Sequence, residues 1–495
     1  MKFHSLVFLG LVLILLLNSA FVPNENIKPG NFSDTSNSIP FQNSNIATGV
    51  HLRPSTQYGS DLDNFNSEMG KRAAILMYFL DWSGHPFEKV VFDYYLVQQI
   101  KEKFPKNTPS IMLTWQPVIY GNRDSELGDC YATESGSISP LEIIDGKCDK
   151  YIQMFAEDLA ERQERYLIRF AHEMNISDSP WWPGHFNSGP DVYVKMWRHV
   201  HTVFSQRQKE LGVNNVEWVW SINYASNPNE PWNAYYNYYP GDQFVDWIGL
   251  SGYNWNNPKA SFTDIYGKAD GSEASISPGI LHDLACRFAK PQIITEIGTA
   301  GSADEKANWI SEAFNAIPSY PFLKGIVWFN DYAYEDPKSS DFRVYSLDQN
   351  DPVDGKITHA YKQSINLQNY QSELLPLGEA TPPRAYCGNG NPEYSFPKLL
   401  ILEPNETFDV IFSGVMIPND TEVIFENVPN GITLQHDDLI IKSPWGTATA
   451  HLQVNSEDEG TYKIQFKFGE TGSLQEITII VVQDKSQIYL PSISK

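Results

Sequence analysis

Between residues 46 and 330 eight short apolar runs recur, separated by longer segments with a helical rhythm. The runs are Ile46 to Arg53, Ala73 to Leu80, Ser110 to Gln116, Tyr166 to His172, Val216 to Asn223, Val245 to Gly252, Gln292 to Ile297 and Gly325 to Asn330. Most are nearly continuous in apolar side chains and end in polar or aromatic residues. A strand buried on both faces reads this way, and parallel sheets contain such strands. Most of the intervening segments are long enough for crossover helices. In Asp149 to Gln163, Tyr151, Phe155 and Leu159 recur at i, i+4 and i+8. In Pro190 to Leu211, Tyr193, Trp197, Val200 and Phe204 form one stripe, with Ser188 and Pro190 at its start and Gly212 just past its end. Eight strand-then-helix units in series predict an α/β fold, a closed (β/α)8 TIM barrel rather than an open doubly wound sheet.

The pattern fades near residue 370. A stretch bearing Pro and Gly, Leu375 to Pro392, reads as a linker, and from about residue 396 the rhythm is all-β. Phe408 to Phe412, Glu422 to Phe425, Leu439 to Lys442, Thr449 to Val454, Tyr462 to Phe468 and Ile477 to Val482 alternate or run apolar between turn residues. Six or seven short strands predict a small, broadly immunoglobulin-like β-sandwich, although no paired-cysteine signature accompanies it. At the other end, Met1-Lys2, an apolar run from Leu6 to Leu17 and Asn18-Ser19-Ala20 fit a secretory signal. Asn18 stands where a small residue is preferred, so the cleavage point stays open, and an uncleaved anchor is the alternative. The expected organisation is a signal peptide (1–23), a polar linker (24–45), the barrel (46–370), a second linker (371–395), the sandwich (396–485) and a tail (486–495). A secreted protein is expected, with no membrane contact beyond such an anchor.

Composition narrows the partners. With 60 acidic and 36 basic residues the formal charge is −24, a field that repels phosphate backbones and argues against nucleic acid. A neutral polymer would not be repelled. Aromatic residues make up 13% of the chain. They serve either a large core or a cleft lined with rings, on which the apolar faces of sugars pack. Cys130, Cys148, Cys286 and Cys387 show no C-x-x-C spacing, so neither a zinc site nor a redox motif is suggested. In an exported chain Cys130 and Cys148 could close a disulfide across one loop, two free thiols being the alternative; the other two give no pairing signal. No metal or cofactor is expected, and a monomer is.

In a barrel of this kind functional groups sit where strands end, at the C-terminal face. The fourth run closes with Arg169-Phe170-Ala171-His172-Glu173-Met174-Asn175 and the seventh with Ile293-Ile294-Thr295-Glu296-Ile297-Gly298. Two glutamates thus end two strands across the barrel mouth. Cleaving a glycosidic bond with retention needs such a pair, about 5–5.5 Å apart. One carboxyl with a raised pKa donates a proton, and one ionised carboxylate attacks. Two ordinary carboxylates in salt bridges or a metal site are the rival reading.

Five motifs then resemble glycoside hydrolase family 26, in that family's order. They are His172-Glu173-Met174-Asn175 after an Arg-Phe strand, Trp218-Val219-Trp220-Ser221-Ile222-Asn223, Tyr239-Pro240-Gly241-Asp242 leading to Val245–Gly249 and Tyr253-Asn254, Thr295-Glu296-Ile297-Gly298, and Val327-Trp328-Phe329-Asn330. The resemblance spans about residues 46–365. It implies a retaining enzyme, in most members an endo-acting β-1,4-mannanase and in others one that cleaves mixed-linkage β-glucan or β-1,3-xylan. It makes Glu173 the acid/base and Glu296 the nucleophile. His172 would contact the sugar or help set the state of the acid, Tyr253 would hydrogen-bond the nucleophile and Trp328 would floor the subsite where the bond breaks. Where the family has Gly after the His-Glu-Met-Asn motif this chain has Ile176, and Trp181-Trp182 come later than usual, so either Trp181 or Trp182 would supply the ring lining the cleft. Trp115 and Trp220, near strand ends, are further candidates for a polysaccharide substrate. Each ring has a plain rival role in the core. A sugar-binding protein without catalysis is the rival from another class.

Overall fold

The computed structural model of the protein describes residues 45–83, 95–119, 130, 136–162, 164–256, 259–267, 279–288, 290–332, 340–377 and 393–483, apart from short gaps at 416, 418, 437, 443–445 and 456–458. The expected signal, first linker and tail lie outside these residues, as does most of the second linker.

Eight parallel strands close on themselves: β1 (Ile46–His51), β2 (Ile75–Asp81), β3 (Ser110–Gln116), β4 (Tyr166–Phe170), β5 (Val216–Asn223), β6 (Trp247–Asn254), β7 (Gln292–Thr299) and β8 (Leu323–Phe329). Each pairs with the next, β8 pairs with β1 and β1 with β2, so the expected barrel is observed. Side chains alternate between two apolar layers. Met77, Met112, Leu167, Val219, Ile293 and Val327 fill the lumen. Leu76, Ile111, Ile168, Ile248, Ile294 and Ile326 pack outward against the helices. With both faces buried, every position favours an apolar side chain, which is why the strands read as continuous runs.

The two stripes noted above lie on helices Asp149–Ala160 and Pro190–Glu210, and their apolar positions are buried. Pro190 occupies the first turn of the second helix, but the residue that caps it is Gly189, because the Ser188 hydroxyl turns back to the Phe186 carbonyl. Cys130 and Cys148 form the expected disulfide. Cys286 is disulfide-bonded as well.

The C-terminal region is a two-sheet sandwich. One sheet orders Glu393–Ser395, Thr407–Val415, Gly446–Val454 and Ile432–Gln435; the other orders Leu399–Leu402, Gln475–Val481, Gly460–Phe468, Thr421–Asn427 and Ile440–Ile441. That is three strands more than the six runs marked in the sequence. Barrel and sandwich fall in one compact unit. Val194 of helix Pro190–Glu210 is buried in the sandwich's own apolar cluster. Beside it Lys195 pairs with Glu406, and Arg198 pairs with Asp409 at 2.6 Å while donating to the Pro240 carbonyl at 2.7 Å. Among the described residues no helix is long and apolar enough to cross a membrane.

Candidate active site

A single cation organises the barrel mouth. Arg169, in the middle of β4, points into the lumen and is fully buried. Its Nε donates to Ser221 Oγ on β5 (3.0 Å), Nη1 to Thr114 Oγ1 on β3 (3.3 Å) and Nη2 to Ser251 Oγ on β6 (2.6 Å). Nη1 also ion-pairs with Glu296 on β7. Three of these four partners are neutral hydroxyls, so the one positive charge is directed at the carboxylate. A buried guanidinium left without its carboxylate costs about 3–5 kcal/mol, so this pair is a firm constraint on the fold. Room for Ser221 comes from Gly249, where an added Cβ would approach Ser221 Cβ to 2.6 Å.

Glu296 reaches the mouth through a break in alternation. The pairing of β6 with β7 slips between Leu250 and Ser251, which face Ile294 and Glu296, so Thr295 is an extra residue. Such a bulge re-aims the side chains that follow it. Here Thr295 and Glu296 both serve the lumen: Thr295 Oγ1 bonds Ser221 Oγ at 2.9 Å, and Glu296 meets Arg169. The Tyr253 hydroxyl donates to the second oxygen of Glu296.

Glu173 lies past the end of β4, in a tight turn. Ala171 and Glu173 take φ values of 41° and 54°, left-handed conformations that cost non-glycine residues on the order of 1–3 kcal/mol each. The turn is held by Glu173 N to the Ser221 carbonyl (2.8 Å) and by Ser179 Oγ to the Glu173 carbonyl (2.7 Å). The Glu173 carboxyl sits 3.9 Å from Arg169 Nη2. Burial, and then the charge of Glu296, raise its pKa to about 7 against the opposing pull of Arg169, Ser251 and Asn223. His172 lies beside Glu296, its Nε2 4.0 Å from Glu296 Oε1. Burial and then the Arg169 charge hold its pKa well below the usual histidine range, so it is a neutral ring. Burial raises the Tyr253 phenol pKa, with the Glu296 charge acting in the same direction, so it stays a donor.

Glu173, Glu296, His172 and Tyr253 line one cleft of about 530 Å³, walled by Phe79, Tyr224, Trp255 and Phe329. The other candidate rings lie elsewhere. Trp328 is fully buried and faces the helices, donating to the Phe342 carbonyl (2.9 Å) and packing on Phe314 and Tyr361. It does not line the cleft, whereas its neighbour Phe329 does. Trp115 stacks on Phe155 and lies tilted against Trp82, and Trp220 meets Tyr239 and Phe288 edge-on, both in the outer layer. Trp181 is buried behind His172, donating to its carbonyl at 2.7 Å. Trp182 is half-buried against Trp232, outside the cleft walls. For Trp115, Trp220 and Trp328 the physical reason is parity: on a β-strand, one step along the chain exchanges lumen for helix layer. Sequence reasoning gave no role to Arg169, although a charge inside an apolar strand has to be paired, and that was the available signal. Phe79 and Phe329 gave no signal, since their runs are apolar on both sides. Among the described residues no group of three His, Cys, Asp or Glu side chains is placed to hold a metal ion.

The fold and site define a parallel barrel with a carboxyl pair at its mouth, and comparison with known proteins agrees. Residues 132–312 match the model of glycosyl hydrolase family 26, a stretch that carries β4 to β7 and both glutamates; the family resemblance read from the motifs is thereby shown. Endoglucanase H of Acetivibrio thermocellus is 27% identical over 390 residues, 77% of this chain and 35% of that protein, so the chain spans about a third of this relative's length. Among solved structures, a GH26 β-mannanase from Bacteroides ovatus is 18% identical, with 68% of this chain and 91% of that one covered and a TM-score of 0.46. The GH26 domain of an endo-β-mannanase/endo-β-glucanase from Prevotella bryantii is also 18% identical, over 66% and 91% of the two chains, with a TM-score of 0.44.

Proposed function

We propose that the protein is an exported, retaining endo-glycosidase that hydrolyses β-1,4-mannan-type polysaccharide, with Glu296 as nucleophile and Glu173 as acid/base. The observation that carries this reading is that two carboxyls on one cleft, both within reach of Arg169, have contrasting surroundings. Glu296 accepts from a guanidinium and a phenol. Glu173 is largely shielded from solvent beside that negative charge and is protonated below about pH 7. Unequal surroundings of this kind assign the two roles.

In the first step Glu296 Oε attacks the anomeric carbon, the glycosidic C–O bond breaks and the Glu173 proton passes to the departing oxygen. Ester formation removes the negative charge of Glu296. That charge is one of the two causes raising the pKa of Glu173, while Arg169, which lowers it, remains. The pKa of Glu173 therefore falls and the group stays ionised, the form required to take a proton from water, whose oxygen then displaces Glu296 from the sugar. The disulfide between Cys130 and Cys148 supports export, since such bonds persist in oxidising compartments.

Glu296→Ala and Glu173→Ala are each expected to lose nearly all polysaccharide hydrolysis, and full activity in either would sink the assignment. A second substrate reading, mixed-linkage β-glucan, is favoured by the endoglucanase name of the relative at 27% identity. Product profiling on mannan, lichenan and xylan separates the two; release from lichenan alone would overturn mannan.

A further inference from the structure

The loop between β5 and β6 is tied to the turn that carries Glu173, and one side chain makes much of the tie. Asn233 is fully buried. Its amide nitrogen donates to the carbonyls of Asn175 (2.9 Å) and Pro228 (2.8 Å). Its amide oxygen accepts from Trp182 Nε1 (3.2 Å) and from the Tyr238 hydroxyl (2.5 Å). Both donors and both acceptor positions are used, which fixes the amide in one orientation.

These contacts grip the segment around Glu173 from two sides. Asn175 follows Glu173 by two residues, and its own side chain donates to the Asn223 carbonyl (3.0 Å) and accepts from Asn223 N (2.9 Å). Trp182 adjoins Trp181, whose indole holds the carbonyl of His172. The regular ladder stops short, because β4 ends at Phe170, and beyond it the backbone of Glu173 is tied to β5 through its N–H to the Ser221 carbonyl. A non-glycine residue persists in a left-handed conformation only where its surroundings over-determine it, and Glu173 is such a residue. On its far side the loop is backed by the sandwich, where Trp232 shares a small gap with Leu400 and Phe408.

We infer that Asn233 is a positioning residue that sets the placement of the acid/base carboxyl of Glu173 without touching substrate. This rests on the reading of Glu173 as acid/base. A displaced acid is felt only when the leaving group needs a proton, which gives a signature that general loosening of the fold lacks. The test compares kcat/KM on polysaccharide with kcat/KM on a dinitrophenyl β-oligoside of the same sugar, with and without azide, for wild type, Glu173→Gln and Asn233→Ala. Azide can free the glycosyl-enzyme without giving up a proton. For Asn233→Ala, kcat/KM on polysaccharide is expected to fall by about tenfold or more, that on the aryl substrate to change by less than about twofold, and azide to raise kcat. If Asn233→Ala does not yield folded protein, Trp182→Phe combined with Tyr238→Phe releases the amide oxygen and should give the same pattern more weakly. Equal losses on both substrates, or no loss on either, would overturn the inference while Glu173→Gln still shows the leaving-group pattern. If Glu173→Gln itself loses both substrates equally, the acid/base reading fails and this inference with it.

Discussion

The two faces of the barrel strands differ more than their sequences suggest. Facing the helices, Trp115, Trp220 and Trp328 are fully buried and spend their rings on packing. Facing the lumen near the mouth, Thr114, Arg169, Ser221, Ser251 and Glu296 form one hydrogen-bonded cluster. The contrast teaches that in this molecule the large rings on the helix side of the strands support the wall, while on the lumen side small hydroxyls hold the Arg169–Glu296 pair. Apolar packing tolerates volume-conserving exchange, whereas a buried polar cluster fails when one partner is removed.

Removing the acids should break the comparison hardest. Glu173→Ala is expected to lower kcat on polysaccharide by about 10²–10⁴-fold, and Glu296→Ala by more, because no covalent route then remains. Glu173→Ala should keep its unfolding temperature near or above that of the wild type, whereas Glu296→Ala, which strands Arg169, should fall below it. Thermal unfolding beside initial rates checks both.

Neighbouring rings on β8 sharpen the contrast. Trp328→Ala is expected to cost about 3–5 kcal/mol of stability in denaturant unfolding while the folded enzyme keeps its kcat/KM within a few-fold. Phe329→Ala should do the reverse, raising KM with a smaller loss of stability. A Trp328 variant that stays stable and loses substrate affinity would invert the assignment of the two faces.

Acidity gives two smaller effects. In the proposed role Glu173 must be protonated, so kcat/KM on polysaccharide should fall as pH rises through about 7. Stability follows the same sign. Glu173 has a folded-state pKa above the unfolded one, so its contribution is full below about 4.5 and is lost as pH rises through about 7. Glu173→Gln should therefore exceed the wild type in stability above pH 7, by on the order of 1–3 kcal/mol, with the gap closing in acid.

Much of the scaffold was legible. All eight runs became strands, β3 and β5 with the ends read from sequence, because double burial writes itself as continuous apolar text. Glu173, Glu296, His172 and Tyr253 were legible through their motifs, and the structure brings them to one cleft. What stayed hidden was direction. In a strand apolar on both sides nothing marks which residue faces in, so Trp328 was read as a cleft ring although Phe329 is the one that lines it. Asn233 was hidden for another reason: a loop asparagine has no periodicity, and its partners Asn175 and Tyr238 converge on it only after folding.

The extra residue in β7 has a consequence for anyone rebuilding this chain. Below Thr295 the strand is read in one phase and above it in the other, so Ile294 and Ile297 both look outward although three positions separate them. A strand transplanted from a relative lacking that insertion would arrive out of step past the joint, delivering isoleucine where a carboxylate is needed. Chimeras should therefore exchange the whole of Gln292–Thr299 or leave it untouched.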